Sequence, residues 1–223
     1  MSFAHTPSLL ISFTATYMHH TTARPATDLS RRHLVALPLA AALALGLAAC
    51  SPQDAAPAKA AASGVPPAQA YDKIATEGKG FTVGALMSAN PVYVLFDPQC
   101  SHCGHLWQAS QPLLSKVKFV WVPVSFLNGK SAPQGAAILS ASSPAEFMAA
   151  HEASILAGTG GAPLPASVAP ELEAIIKANT VLFNGLGVES VPFVVAKNPK
   201  TGAVVSNTGA IDTASLAALV GAN

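Results

Sequence analysis

The segment FDPQCSHCGHLW, Phe96 to Trp107, holds two of the three cysteines of the chain, Cys100 and Cys103. It follows PVYVLFD (Pro91–Asp97), a continuous apolar run that predicts a strand buried on both faces. From Cys103 to Val117 apolar residues recur at helical spacing. The C-x-x-C pair is therefore expected at a strand-to-helix junction.

The elements after this junction alternate in type. Pro112 interrupts the helical pattern and is expected to kink the helix. KFVWVPV (Lys118–Val124) predicts a second strand. The pattern from about residue 131 to 187 is helical, and Ser143-Pro144-Ala145-Glu146 reads as a capping box that begins one of its helices. This region is predicted to be a helical insert.

The C-terminal part predicts a hairpin and a helix. PFVVAK (Pro192–Lys197) and AVVSNT (Ala203–Thr208) are two strand candidates joined by the turn residues NPKTG. Asp212 is expected to cap the last helix. Strands and helices in this order predict an α/β fold.

Three interpretations of the cysteine pair other than catalysis can be weighed. Attached haem requires His directly after the second cysteine, but Gly104 stands there and the next histidine is His105. A metal site could use both cysteines with His102 and His105, but helical geometry separates these side chains, and His151 farther on is expected to be solvated. A static disulfide would close too small a loop to stabilise the fold much.

Redox exchange suits the pair better than these alternatives. At a helix N-terminus, unpaired N–H groups and the helix dipole would stabilise a thiolate at Cys100. His102 could donate a hydrogen bond or positive charge to the same sulfur, and both effects lower a thiol pKa. We expect Cys100 to be the exposed nucleophile and Cys103, deeper in the helix, to be the resolving thiol. No cofactor or metal is expected.

The segment YVLFDPQCSHCGHLWQ resembles the active-site region of the periplasmic disulfide isomerase family, DsbC and DsbG, and more closely the DsbG type. PQGAAILSASSPAEFMAAHEAS looks like the helical insert of that family, and GVESVPF continues the likeness. The resemblance spans about residues 71–223. It implies a thioredoxin-like fold and a thiol:disulfide interchange activity on protein thiols or disulfides.

The resemblance also implies roles for individual residues. Cys100 and Cys103 match the redox pair, and Pro192 matches the proline that is cis in thioredoxin-like proteins. The backbone of Val191 would then meet the substrate strand as in β-augmentation. Asp97 matches the F-x-D-P-like stretch of the family, where a proton relay, a capping role and solvation at the surface are all open. Trp107 is expected to pack rather than react.

The sequence departs from the isomerases in two ways. Only a tether and a short segment precede the first clear strand, so we expect no dimerisation domain and a monomer. Val191 replaces the threonine common in the isomerases and is closer to the oxidase DsbA. The direction of electron flow is left open, and a thioredoxin-like metal-binding or cytochrome-assembly module is the alternative function.

The N-terminus predicts export. Arg31 and Arg32 precede sixteen apolar residues, Leu34 to Ala49, which suit a cleavable signal better than a membrane span of about 20 residues, although a signal anchor is the alternative. LAAC, ending at Cys50, resembles a lipobox, and the arginine pair resembles a twin-arginine motif. Met18 is an alternative start.

These features predict three regions: an export signal (1–49), an Ala/Pro-rich tether (50–70) and a thioredoxin-like domain (71–223). The chain after Cys50 has nine lysines, no arginine and ten acidic residues, which argues against nucleic-acid binding. We expect a periplasmic lipoprotein whose partners are protein substrates and a membrane redox protein that recharges the pair.

Overall fold

The computed structural model describes residues 64–223, which form a mixed five-stranded sheet flanked by helices. The predicted export signal, Cys50 and most of the predicted tether lie outside the described residues. The strands are β1 (Phe81–Gly84), β2 (Val92–Phe96), β3 (Lys118–Pro123), β4 (Phe193–Lys197) and β5 (Val204–Thr208). The helices are α1 (Pro67–Glu77), α2 (Ser101–Ser110), α3 (Ser131–Ser140), α4 (Pro144–Leu156), α5 (Pro170–Gly185) and α6 (Thr213–Val220).

The sheet places β2 at its centre. The strand order is β1-β3-β2-β4-β5, with β2 and β3 parallel and all other neighbours antiparallel. The sequence VYVLF of β2 is almost entirely buried, as its apolar run predicts, and only Tyr93 is half-buried. Because the chain leaves β2 at Phe96 and enters α2 at Ser101, the cysteine pair lies at the end of the central strand.

An aromatic cluster fixes α2 on the sheet. Trp107 of α2 contacts Trp121 of β3 with ring centroids 5.1 Å apart, and Phe96 contacts Trp121 at 5.6 Å. Both contacts are edge-to-face, which is the favoured geometry for aromatic pairs. The expectation that Trp107 serves packing is consistent with this position, since the side chain is buried.

The helical region between β3 and β4 contains α3, α4 and α5, and its bounds agree with the predicted insert over residues 131–187. α4 packs against α2, and α3 packs against α5. Asn179 ties α5 to the sheet side, because its Nδ2 donates to the backbone oxygens of Lys79 and Pro123 at 2.8 and 2.9 Å. The insert is therefore held against the helix that carries the cysteines.

The folded part begins earlier than the sequence predicts. Helix α1 starts at Pro67, inside the predicted tether, and Ala70 and Ile74 on one of its faces are fully buried. The stretch is short and rich in alanine, so its apolar periodicity is weak, although proline at its first position is a helix-start signal. The four residues of β1 were also not predicted; they pair with β3 and bury Phe81 and Val83.

Two local predictions have different outcomes. The capping box at Ser143 is wrong, because the Ser143 side chain makes no capping hydrogen bond; the helix nevertheless begins at Pro144, whose fixed φ favours the first helical position. The kink predicted at Pro112 is confirmed as a change from α-helix to a short 3-10 turn, Gln111–Leu113. The cap at Asp212 is confirmed by its bond from the Ser215 amide.

Within residues 64–223, none of the helices combines the length and the apolar character needed to cross a bilayer.

Candidate active site

Cys100 lies at the start of α2, as predicted. It is the N-cap residue, its carbonyl accepts from the amides of Cys103 and Gly104 at 3.0 and 3.2 Å, and its thiol points to the first turn of the helix. The prediction that this thiol is exposed is wrong, because only 6% of the residue is accessible. The chain around Val191 covers it, and Cys100 Sγ lies 3.6 Å from the Val191 carbonyl oxygen.

The surroundings of Cys100 favour its thiolate. The pKa of the Cys100 thiol is lowered from the ordinary 9.0 to about 7, chiefly by a hydrogen bond from the Cys103 side chain. The backbone N–H groups of Cys103 and His102 lower the Cys100 pKa further. Burial and the charge of Asp97 act in the opposite direction and raise it. A helix start therefore supplies donors to the sulfur, as expected from the unpaired amides of the first turn.

Cys103 has the opposite character. It is fully buried, and burial is the main reason why its pKa lies well above the ordinary value; its hydrogen bond to Cys100 adds to the rise. Both cysteines are free thiols here. Cys103 therefore keeps its proton while Cys100 gives one up, which is the asymmetry expected between a resolving and an attacking thiol.

The histidines near the pair do not gather around it. His102 and His105 are exposed, and His102 contributes to the Cys100 sulfur through its backbone N–H. A contribution from the His102 imidazole stays a prediction. Among the described residues, no group of three or more His, Cys, Asp or Glu side chains is placed to hold a metal ion.

The predicted proline loop lies against Cys100. The Val191–Pro192 peptide bond is cis, as the resemblance implied, and Val191 and Pro192 are buried beside the cysteine. The loop leads directly into β4, the neighbour of β2 in the sheet. The contact between Cys100 Sγ and the Val191 carbonyl thus joins two segments 91 residues apart.

Asp97 is a fully buried anchor of the loops beside the cysteines. Its Oδ1 accepts from the Gln99 amide at 2.7 Å and the Ser131 hydroxyl at 2.8 Å, and its Oδ2 accepts from the amides of Phe126 and Leu127 at 2.6 and 2.8 Å. Four donors satisfy an ionised carboxylate well. Of the roles left open by the sequence, solvation at the surface is wrong because Asp97 is fully buried, and the geometry matches capping because both oxygens accept from structural donors.

His151 connects the insert to the active-site loop. The prediction that it is solvated is wrong: it is 1% exposed, its Nε2 lies 2.7 Å from the Pro98 carbonyl oxygen, and its Nδ1 accepts from the Ala162 amide at 3.0 Å. Burial lowers its pKa, in spite of an opposing effect of the Pro98 bond. Gly161 is packed so closely on the ring, at φ +82°, that a larger residue would not fit.

Glu152 is a functional candidate that sequence reasoning missed. It is 1% exposed, and neither carboxyl oxygen has a hydrogen-bond partner among the described residues. Its pKa is raised to about 9, first by burial and then by the charges of Cys100 and Asp97. A signal existed in the sequence, because His151 and Glu152 stand three and four residues after buried Met148, on the inward face of α4.

The comparisons with known proteins agree with this geometry. The thiol:disulfide interchange protein DsbG of Escherichia coli is 32% identical over 103 residues, which is 45% of this chain and 41% of DsbG. The chain thus matches less than half the length of that relative. No protein family model matches the sequence.

Solved structures of low sequence identity share the fold. A periplasmic thioredoxin-like protein of Salmonella enterica serovar Typhimurium has a TM-score of 0.52 at 18% identity over 68% of this chain and 94% of its own. The catalytic domain of Proteus mirabilis ScsC has a TM-score of 0.54 at 17% identity, over 69% of this chain and 93% of its own. The thiol-disulfide exchange protein α-DsbA2 of Wolbachia pipientis has a TM-score of 0.52 at 17% identity, over 69% of this chain and 95% of its own. The chain therefore has the fold that these thioredoxin-like structures share.

Proposed function

We propose that the protein is an exported thiol:disulfide oxidoreductase that exchanges disulfides with protein thiols through Cys100 and Cys103. The observation that carries the proposal is the pair of opposite environments: Cys100 at a helix start with a pKa of about 7, and Cys103 buried with a raised pKa. At neutral pH about half of Cys100 is thiolate, which is the reactive form of a cysteine. The likeness to DsbG and to the ScsC catalytic domain supports it.

The reaction proceeds through a mixed disulfide. In the direction that reduces a substrate disulfide, the Cys100 thiolate attacks one substrate sulfur and releases the other as a thiolate. Cys103 then loses its proton and attacks Cys100 Sγ, which releases the second substrate sulfur and forms the Cys100–Cys103 disulfide. The substrate gains two electrons and the pair loses two. The reverse sequence oxidises a substrate, so a separate partner must set the direction.

Val191 and Pro192 are proposed to bind the substrate. Their loop covers Cys100 and is continuous with β4. A substrate segment that pairs with the Val191 backbone would bring its own sulfur to Cys100, in the manner of a strand added at a sheet edge. His102 is proposed to assist at the same sulfur, since its backbone N–H already helps to lower the Cys100 pKa.

Insulin reduction tests the activity. The purified domain with dithiothreitol should accelerate insulin precipitation, and Cys100→Ala should remove the acceleration because the nucleophile is gone. Cys103→Ala is the matched variant: when it is reduced, freed of dithiothreitol and mixed with insulin, it should accumulate a covalent mixed disulfide that is visible on a non-reducing gel. Equal activity of the wild type and Cys100→Ala would refute the proposed function.

The site of action is proposed from the sequence together with the relatives. The export signal and lipobox predict a periplasmic protein anchored through a lipid on Cys50, and the Salmonella structure is described as periplasmic. The protein is proposed to be a monomer recharged by a membrane redox partner. Cys50→Ser should move the protein from the membrane to the soluble fraction, and unchanged fractionation would contradict the anchor. A concentration-independent dimer in light scattering would contradict the monomer.

A further inference from the structure

The two ring nitrogens of the buried His151 bind two different loops. Its Nδ1 accepts from the Ala162 amide at 3.0 Å, so this nitrogen carries no proton. The proton of the neutral ring is therefore on Nε2, which donates to the Pro98 carbonyl oxygen at 2.7 Å. The ring thus connects the segment before Cys100 to residues 158–162, the strap, which follows α4.

The buried side chain of Gln134, on α3, extends this connection. Its Nε2 donates to the carbonyl oxygens of Gly160 and Ala162 at 3.0 and 2.7 Å, and its Oε1 accepts from Gln99 Nε2. The Gln99 Nε2 also donates directly to the Gly160 carbonyl oxygen at 3.0 Å. Because Gln99 immediately precedes Cys100, the strap is bound to the residue that leads into the attacking cysteine.

Glycine lets the strap lie directly on the imidazole. A Cβ atom on Gly161 would overlap Cε1 of His151, and it would stand 2.9 Å from Nδ1 of the ring and 3.0 Å from Gln134 Nε2. Gly160 and Gly161 have φ values of +89° and +82°, in the region that favours glycine. Ser154 holds the base of the strap, since its hydroxyl oxygen accepts from the Gly161 amide at 3.1 Å. Movement of the strap is therefore confined to a few peptide units.

We propose that His151 positions the segment before Cys100 through the strap, and that protonation of its Nδ1 releases the strap and slows the attack by Cys100. The inference rests on the proposed function, because it concerns the attacking cysteine of the same exchange. His151 is a positioning residue, since its ring acts through Pro98 and the strap and not on the sulfur itself.

Protonation reverses the hydrogen-bonding role of one ring nitrogen. A protonated Nδ1 is a donor, and it faces the Ala162 N–H, which is also a donor, so their hydrogen bond is lost and the two groups repel each other. Nε2 remains a donor to the Pro98 carbonyl, so the ring stays attached to the active-site segment. The strap is consequently the part that moves, and its carbonyl oxygens no longer hold Gln99 and Gln134.

The groups around the ring set the pH range. Burial lowers the pKa of His151 below its ordinary value of 6.5, while the Pro98 hydrogen bond and the charge of Asp97 act in the opposite direction. Lys130 is a cation beside the strap, because its Nζ would stand 4.0 Å from a Cβ atom on Gly160, and its charge is constant over this range. The strap is therefore closed at pH 7 and opens as the pH falls below 6.5.

The elements packed on α4 add no further charge that changes in this range. These elements are α2, α3 and β1, and neither α3 nor β1 has an acidic, basic, cysteine or tyrosine side chain. On α2, Cys103 is buried with a raised pKa, while His102 and His105 are exposed. On α4 itself, the pKa of Glu152 is raised to about 9, so this carboxyl is neutral. The proton on the ring of His151 is thus the change that acts on the strap.

NMR of ¹⁵N-labelled reduced protein tests the release of the strap without any catalysis. At pH 7.5 the ring of His151 should be the Nε2–H tautomer, and it should take up a proton below pH 6.5. The Ala162 amide resonance should shift with the same midpoint, and its protection from solvent exchange should fall about tenfold or more. His105→Gln, which removes an exposed histidine of α2, should leave this response unchanged. An Ala162 amide that does not respond, or a His151 ring that stays neutral until the protein unfolds, would overturn the proposal.

Stopped-flow reaction with the aromatic disulfide DTNB tests the effect on Cys100, because its attack releases the first coloured thiolate. The rate of this phase is divided by the thiolate fraction of Cys100, measured separately by titration of the same protein. In the wild type the corrected rate should fall about fivefold or more between pH 7 and pH 5, since the attacking group loses its fixed position. In His151→Gln, which keeps a donor towards Pro98 but takes up no proton, it should stay constant within about twofold. His105→Gln should follow the wild type.

The outcomes separate this inference from the proposed function. Parallel pH profiles of the corrected rate in the wild type and His151→Gln would overturn the positioning role alone, whereas a Cys100 that does not react with DTNB at pH 7 would refute the proposed function. Should His151→Gln not fold, Gly161→Ala displaces the strap with the ring intact, and its corrected rate at pH 7 should already match that of the wild type at pH 5. Gly202→Ala, which has a similar positive φ in open surroundings, is the matched control and should behave as the wild type. A wild-type rate in Gly161→Ala would contradict the proposal.

Discussion

Removing the Cys103 thiol is the perturbation that addresses most directly how Cys100 is activated. The Cys103 side-chain hydrogen bond is the largest cause of the lowered Cys100 pKa, ahead of the backbone donors. A hydrogen bond to a charged group contributes about 1.5–3 kcal/mol, and 1.4 kcal/mol corresponds to about one pH unit. In Cys103→Ala the Cys100 midpoint should therefore rise by about one to two pH units from its value of about 7.

The thiolate fraction follows from this rise. At pH 7 about half of wild-type Cys100 is ionised, and the variant should retain less than about a tenth. The rate of alkylation by iodoacetamide at pH 7 should consequently fall by about fivefold or more. Mass spectrometry of the peptide that carries Cys100, over a series of pH values, gives the midpoint.

Two matched variants make this test specific. Cys103→Ser keeps a hydroxyl donor at the same place, so its midpoint should lie below that of Cys103→Ala. His102→Ala removes an exposed imidazole but keeps the backbone N–H, and its midpoint should change by less than about half a pH unit. The reasoning would be refuted if Cys103→Ala had the wild-type midpoint, or if His102→Ala raised the midpoint as much as Cys103→Ala.

Three further predictions concern the buried polar groups around the site. Asp97→Asn should destabilise the fold by about 2–4 kcal/mol in urea unfolding, because an amide N–H₂ would face N–H donors; a loss below about 0.5 kcal/mol would contradict the assigned hydrogen bonds. The pKa of Glu152 is raised in the folded state, so the wild-type protein keeps its full free energy of unfolding below pH 4.5 and loses part of it as the pH rises towards 9. The free energy of unfolding of Glu152→Gln relative to wild type should therefore increase by up to about 1.4 kcal/mol per pH unit over that range. A difference independent of pH would contradict a buried neutral acid. The pKa of His151 is lowered, so the wild type should lose stability as pH falls through 6.5, and His151→Gln should lack this loss; parallel pH profiles of the two proteins would show that His151 is not buried as a neutral ring.

The sequence predicted the parts of the fold that repeat a strong pattern. The apolar run of β2, the proline-led β4, the hairpin to β5 and the position of the insert all follow from periodicity and turn residues, and the structure contains each of them. Helix α1 and strand β1 were not predicted, because both are short and their burial depends on residues that are distant in sequence. Local propensity carries little information about such contacts.

The sequence predicted the positions of the two cysteines in the candidate site, but it did not predict the buried side chains and the loop that surround them. Cys100 at a helix start and buried Cys103 follow from the motif itself, and the cis bond before Pro192 followed from the resemblance. His151 was wrongly expected to be solvated and Glu152 was not singled out, because charged and titratable side chains on a helix are usually exposed. Cys100 proved covered because the Val191 loop, 91 residues away, closes over it.

The pKa of Cys100 in the reduced wild-type protein is the most direct measure of the central claim, that a thiolate is stabilised where α2 begins. Incorporation of ¹³C-labelled cysteine allows the Cβ resonance of Cys100 to be followed by NMR from pH 4 to 11, separately from that of Cys103. We expect a midpoint of about 7 for Cys100 and a much higher one for Cys103. A Cys100 midpoint at the ordinary value of 9.0, or one equal to that of Cys103, would contradict it.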